Sequence, residues 1–224
     1  MAERVPTVAS ATRLTNFLLE KGLAGVAPLS SAEHLATEYL IDQGYETNDE
    51  RVDSLINWET TKNFTSGFIT GLGGVVSLPL SIPSALGASW LLQARMAGAI
   101  AHIYGHDLRA DRVRTMILLS LAGDVAKEAM KTSGVKLGDT LTERALAQVP
   151  GRVLVEINKR IGVRLLTKAG ERGAISLSKA IPIAGGFVGG AFDAVVCRAV
   201  GRTAKSFFRR PWTAEVAGEL RRLE

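Results

Sequence analysis

The sequence predicts an all-α fold, a single compact multi-helix domain, and three observations lead there. Apolar residues make up 46% of the chain, and with Ala, Leu and Val dominant among them and glycine frequent beside them the composition suits packed helices. These residues recur with helical spacing, with few β-branched runs of period two. Glycines, prolines and capping residues divide the 224 residues into segments of helical length, and a chain of that size suits one sizeable core.

Residues 7–21 predict a first helix with Leu14, Phe17 and Leu18 on one face and Gly22 as its stop. Ala27-Pro28 is a break. Ser30 or Ser31 then caps a second helix through Gln43, in which Leu35, Tyr39 and Ile41 face inward and Gly44 closes the end. His34, in its first turns, reads as a surface histidine. A third helix starts at Asn48 or Asp49 and buries Val52, Leu55 and Ile56. At about 100° per residue, Glu59, Asn63, Ser66 and Thr70 continue that stripe. Either the helix leaves the core there, with Glu59 paired to Lys62, or Glu59 and Asn63 belong to a buried polar site.

Residues 63–94 carry no charge, and Gly67, Gly71, Gly73, Gly74, Gly87, Pro79 and Pro83 punctuate them. This does not suit a simple membrane-spanning helix of about 20 unbroken apolar residues. It suits two closely packed helices joined at a proline corner, with Gly67 and Gly71 allowing the approach. The second of them, Ser84 to Tyr104, is apolar nearly all round, as buried helices are. Its one polar line is Ser84, Arg95 and His102, and a buried arginine requires a carboxylate or a water-filled opening.

That helix ends in a corner, HIYGHD. Tyr104, His106 and Asp107 are its candidate functional groups, with His102 one turn earlier. Two histidines and a carboxylate resemble a metal set only superficially, because Gly105 breaks the helix between them, and no cofactor is expected. Asp107 reads better as a cap for the next turn or helix, and residues 110–132 make another helix, which buries Val113, Met116, Ile117, Leu121 and Val125, with Asp124 next to that face and Glu128 its i, i+4 neighbour of like charge. A short helix follows from Asp139 to Gln148. Residues 152–179, interrupted by Gly162, Gly170 and Gly173, predict two or three short helices.

The last long helix, Ile183 to Phe208, spans about 39 Å and opens with a second glycine cluster, Gly185, Gly186, Gly189 and Gly190. Arg198, Arg202, Lys205 and Arg209 form one basic line along it. Asp193 lies on the opposite, apolar face. Two apolar helices thus each carry one misplaced charge, and Arg95 is expected to meet Asp193 in a buried polar site that also holds His102 and Glu59. Phe207, Phe208, Pro211 and Trp212 close the line, either at a lipid headgroup layer or as a pin for the tail. The organisation expected is an N-terminal helical region at 1–47, a main helical domain at 48–210 and a helical tail at 211–224.

Charge is distributed unevenly. Residues 1–62 hold ten acids and five bases, whereas residues 152–210 hold twelve bases and three acids. Read as distinct surfaces, an acidic front and a basic back point to an anionic partner for the back, a membrane or a nucleic acid. A single cysteine, Cys197, excludes an internal disulfide and a multi-cysteine metal site. The first twenty residues lack the apolar core of a secretory signal, so a cytoplasmic address is expected. No G-x-S-x-G elbow, H-E-x-x-H helix or phosphate-binding loop occurs.

The segments LGGVVSLPLSIP, AHIYGHD, RVRTMILLSLAGD and IPIAGGFVGGAFDAVVCRAVGRTAKSFF resemble, in order and spacing, the EcsC family of bacterial proteins over roughly residues 50–210. The resemblance implies a largely helical, membrane-associated protein with no established reaction, in a family named from a gene beside those of an ABC transporter. A looser likeness to glycine-rich senescence domains carries suspected lipid binding. The function expected is therefore that of a non-enzymatic accessory protein, peripheral on an anionic membrane or lipid, with Arg198, Arg202, Lys205 and Arg209 as contacts and an ABC transporter as a partner. The alternative is a hydrolase using His102, His106 and Asp107. Nucleic acid ranks last, because no recognition motif accompanies the bases.

Overall fold

The structure is a computed structural model that describes residues 7–64, 84–122, 149–178 and 184–209. They form seven α-helices: α1 (Val8–Ala24), α2 (Ala32–Ile41), α3 (Asn48–Phe64), α4 (Ser84–Ile103), α5 (Asp111–Ala122), α6 (Gly151–Ser178) and α7 (Ala184–Phe208). No strand occurs among the described residues, where an isolated bridge joins Val26 to Leu29 in the α1–α2 turn. The all-α single-domain expectation holds. The proline corner, the glycines at 67–74, Asp124 and Glu128, the helix expected at 139–148 and the tail beyond 209 lie outside the described residues.

α4 is the axis of the molecule. It contacts α1, α2, α3, α5 and α7, and every residue from 87 to 101 is buried. A helix apolar on all sides can be satisfied only there. Around it, α1 packs along α6 and α3 packs along α7. Leu14, Leu18, Leu55, Met96, Ile100, Met116, Ile117, Ile157 and Phe208 form one continuous core.

Two glycines that read as helix stops, Gly22 and Gly162, are contact points. α1 continues past Gly22 to Ala24 and ends at Gly25, whose φ of 85° suits glycine. A Cβ on Gly22 would press on Ala94 and the Leu91 carbonyl of α4. α6 is a single helix of 28 residues rather than two or three. Its Gly162 lies against the Ala11 backbone of α1, and Gly201 of α7 faces the Ile56 side chain of α3. Glycine inside a helix costs about 1 kcal/mol relative to alanine. Close backbone approach returns that through packing, and residue type alone does not separate the two uses.

Two helix ends also differ from expectation. α2 stops at Ile41, which is 73% exposed and adds nothing to the core. The cap of α3 is Thr47 rather than Asn48 or Asp49. The Thr47 hydroxyl accepts from the Glu50 N–H at 3.2 Å, and the Glu50 carboxylate accepts from the Glu46 N–H at 2.8 Å, a capping box displaced by one residue. Asn48 and Asp49 are thereby free to bind other helices.

Candidate functional site

The first candidate site lies where α3, α4 and the α1–α2 turn meet. Arg95 and Glu59 are 6% and 1% exposed, and their Nη1 and Oε1 atoms are 3.7 Å apart. Arg95 Nε donates to the Ser30 carbonyl and Nη2 to the Ser30 hydroxyl, both at 2.7 Å. Glu59 is thus a buried polar group, as the stripe on α3 allowed, and it supplies the carboxylate that Arg95 requires. The expected Arg95–Asp193 pair is corrected accordingly: the charges bearing on Arg95 are Glu59, Glu38 and Tyr39, while Asp193 is half-buried on α7. α3 lies closer to Arg95 than sequence spacing alone could reveal.

Burial pushes the Arg95 guanidinium down from its ordinary range, and Glu59 opposes that shift. Nearby, Tyr39 is pushed up to about 12 by burial and then by the Glu59 charge. His102 is part-buried on the last turn of α4. Seven residues past Arg95, it stands about 10 Å further along the axis, and its ring makes no hydrogen bond among the described residues.

The second candidate is the corner after α4, which turns out to be a junction of three helix ends. Gly105, with φ of 85°, closes α4 in a Schellman motif: its N–H reaches the His102 carbonyl and the His106 N–H reaches Ala101. Asn48 of α3 donates to the Ile103 carbonyl at 3.0 Å, one of α4's last free acceptors. The Tyr104 hydroxyl donates to Asp49 Oδ1 at 2.7 Å, and Arg209, just past α7, reaches Asp49 Oδ2 at 2.5 Å.

His106 is buried and its Nε2 lies 2.9 Å from the Phe208 carbonyl oxygen. A carbonyl only accepts, so Nε2 carries the proton. The ring also packs on Phe208, centroids 5.1 Å apart. Asp107 is exposed, and its carboxylate accepts from the Arg109 N–H at 2.9 Å, so of the turn or helix expected it caps the turn, ahead of α5, which starts at Asp111. His106 and Asp107 therefore serve separate structural tasks, and His102 shares neither contact. No group of three His, Cys, Asp or Glu among the described residues is placed to hold a metal.

Asp49 is held below the usual carboxylate range, first by the Tyr104 hydrogen bond and then by Lys205 and Arg209. Tyr104 is pushed well up, by burial first and then by its bond to Asp49.

The basic line of α7 runs antiparallel to a polar edge of α3. Lys205 Nζ bonds Asp53 Oδ1 at 2.6 Å, Arg209 bonds Asp49, and Arg198 Nη2 donates to Asn57 Oδ1 at 3.1 Å. The acidic front and basic back are thus one interface over this stretch rather than distinct surfaces. Asp49, Asp53 and Asn57 at i, i+4, i+8 were the available signal. Arg202 is exposed and makes no hydrogen bond or ion pair among the described residues. Phe207 and Phe208 are core residues.

Residues 14–212 match the EcsC protein family, and the chain belongs to that family. The match starts within α1, so the family region includes the larger part of α1 and all of α2 as well as the later segments. No curated protein and no solved structure matches the chain significantly. No helix among the described residues is long and apolar enough to cross a membrane.

Proposed function

We propose that this EcsC-family chain is a non-enzymatic accessory protein that attaches reversibly to an anionic membrane surface through the outward strip of α7. The observation that carries the reading is the strip itself. Val195 is 68% exposed, and Arg198, Ala199, Arg202 and Ser206 continue it at helical spacing, all exposed. Trp58, 55% exposed, follows Asn57, the partner of Arg198. An exposed aromatic and an aliphatic residue near arginines match what lies at a headgroup layer.

Magnitudes limit the attachment. Each base near an anionic surface contributes about 1 kcal/mol. Asp53 and Asp49 already offset Lys205 and Arg209, which leaves two of the four expected contacts, Arg198 and Arg202. About 2 kcal/mol corresponds to roughly a thirtyfold enrichment, so the attachment is weak and calls for a second contact, in lipid or protein. An ABC transporter, implied by the family's gene context, is the protein partner within this proposal.

Vesicle flotation tests it. Co-flotation with vesicles containing anionic lipid, weakened by salt and absent with neutral vesicles, is expected. Equal behaviour on both kinds of vesicle would overturn the reading. The hydrolase alternative is not carried further, because His106 and Asp107 are committed to the α7 carbonyl and the α5 turn.

A further inference from the structure

A basic surface on α6 takes no part in either site. Between residues 151 and 167 that helix carries four bases, Arg152, Lys159, Arg160 and Arg164, against one acid, Glu156. Arg160 already holds the acid at 3.1 Å. Arg152 is exposed and Lys159 partly so, and neither makes a hydrogen bond or ion pair among the described residues. Val155, 53% exposed, lies between them, and the three fall within about 60° of one another round the helix. The outward strip of α7 has the same make-up: exposed Val195 with Arg198 and Arg202, three and seven residues on.

The two strips face different ways. Contacts run round α4 in the order α1, α6, α5, α7, α3, α2 and back to α1. α6 and α7 thus flank α5, one packed along α1 and the other along α3. Helices two places apart in such a ring point outward in directions too divergent for one flat surface to cover both.

We propose that the chain bridges two anionic membranes, one held by the outward strip of α7 and the other by Arg152, Val155 and Lys159 of α6. The bridge rests on the attachment proposed above for α7 and adds a second, separate surface to it. A nucleic acid would take the bases and leave both valines in water, whereas a headgroup layer accepts charge and aliphatic side chain together. Two bases give each strip roughly a thirtyfold enrichment. That is weak for a single contact, but once one membrane is held the other is met at a raised effective concentration, and many copies act together.

The test fixes vesicles of phosphatidylcholine and phosphatidylglycerol to beads and adds the full chain with dye-labelled vesicles of the same composition. Captured dye reads bridging, and flotation reads attachment. The wild type should capture vesicles, fail with phosphatidylcholine alone, and lose capture as salt is raised. Capture should also fall at excess protein, where each membrane is covered separately. Arg152→Glu combined with Lys159→Glu should bring capture to background while flotation through α7 stays within about twofold of the wild type. Arg152→Gln with Lys159→Gln adds no repulsion from Glu156 and should lower capture roughly thirtyfold, which keeps the test valid if charge reversal impairs folding. Undiminished capture in these variants, or no capture of vesicles on which the wild type floats, would overturn the bridge and leave the α7 attachment standing. Flotation lost together with capture in the α6 variants would overturn it too, by placing both strips on one membrane. Absence of flotation on anionic vesicles would instead remove the α7 attachment, and the bridge with it.

Discussion

Arg95 of α4 and Glu59 of α3 oppose each other at 3.7 Å inside the core, and the rest of the guanidinium is tied to Ser30 of the α1–α2 turn. Removing either side chain takes away the opposite charge that faces the other inside the core. Breaking a buried pair typically costs about 3 to 5 kcal/mol, and the two Ser30 bonds place Glu59→Gln near the lower figure. Glu59→Leu combined with Arg95→Met should cost less than the sum of its singles. Urea denaturation of the four proteins measures this, and additive losses would show that the two side chains are not coupled. A parallel cycle of Arg95→Met with Asp193→Asn should give coupling close to zero.

The bond from Tyr104 to Asp49 makes stability depend on pH at both extremes. Asp49 is depressed in the folded state, so its contribution is complete above the unfolded carboxylate value of about 3.9 and is lost as pH falls through the lower folded value. Tyr104 is raised, so its contribution is complete below about pH 10 and is lost as pH rises through its folded value. Tyr104→Phe should cost about 1.5 kcal/mol at pH 7, at the low end for a charged acceptor because Asp49 is partly open to water. The gap from the wild type should narrow below about pH 3 and again above about pH 10. Denaturant midpoints across that range decide the matter, and a gap independent of pH would mean that the ring matters only through its packing.

The sequence shows most clearly what a single helix imposes on itself. The burial of Val52, Leu55 and Ile56, the closure at Gly105 and the cap at Asp107 each follow from local periodicity or local hydrogen bonding. The Glu59 position was visible as a charge on an apolar stripe, but its partner was not, because helix register does not reveal which helix lies opposite. Gly22 and Gly162 look like helix stops in the sequence for a related reason. A glycine that ends a helix and one that admits a neighbouring backbone are the same residue type, and only packing separates them.

Gly162 and Gly201 give the packing account a direct check. Alanine gains about 1 kcal/mol in helix propensity, which would stabilise either position in an isolated helix. A Cβ at Gly162, however, meets the Ala11 carbonyl oxygen of α1 at 2.5 Å, and one at Gly201 meets the Ile56 side chain at 2.8 Å. Overpacking costs about 1 to 3 kcal/mol, and rigid backbone yields less than an isoleucine side chain. Gly162→Ala should therefore lose about 2 kcal/mol and Gly201→Ala less. Gly151→Ala, where a Cβ meets nothing within 4 Å, should be neutral or stabilising. Thermal melts rank the three, and a stabilising Gly162→Ala would contradict the close approach of α1 and α6.

Membrane attachment and folding can be separated on α7, because its cations have different duties. Lys205 is bound to Asp53 and Arg209 to Asp49, so reversing either charge acts first on the α3–α7 interface. Each such pair is partly exposed and contributes at most about 1 kcal/mol, but reversal adds repulsion from Asp49 and Asp53. Lys205→Glu should lower Tm and disturb vesicle binding only as far as folding is lost. Arg202 has no such partner among the described residues, so Arg202→Glu should leave Tm within about a degree of the wild type. On anionic vesicles the same change removes one favourable charge and adds an unfavourable one. At about 1 kcal/mol per charge, co-flotation should fall by roughly thirtyfold, and raising salt should erase the difference. Arg202→Glu binding as well as the wild type at low salt would show that the outward strip of α7 is not the contact surface.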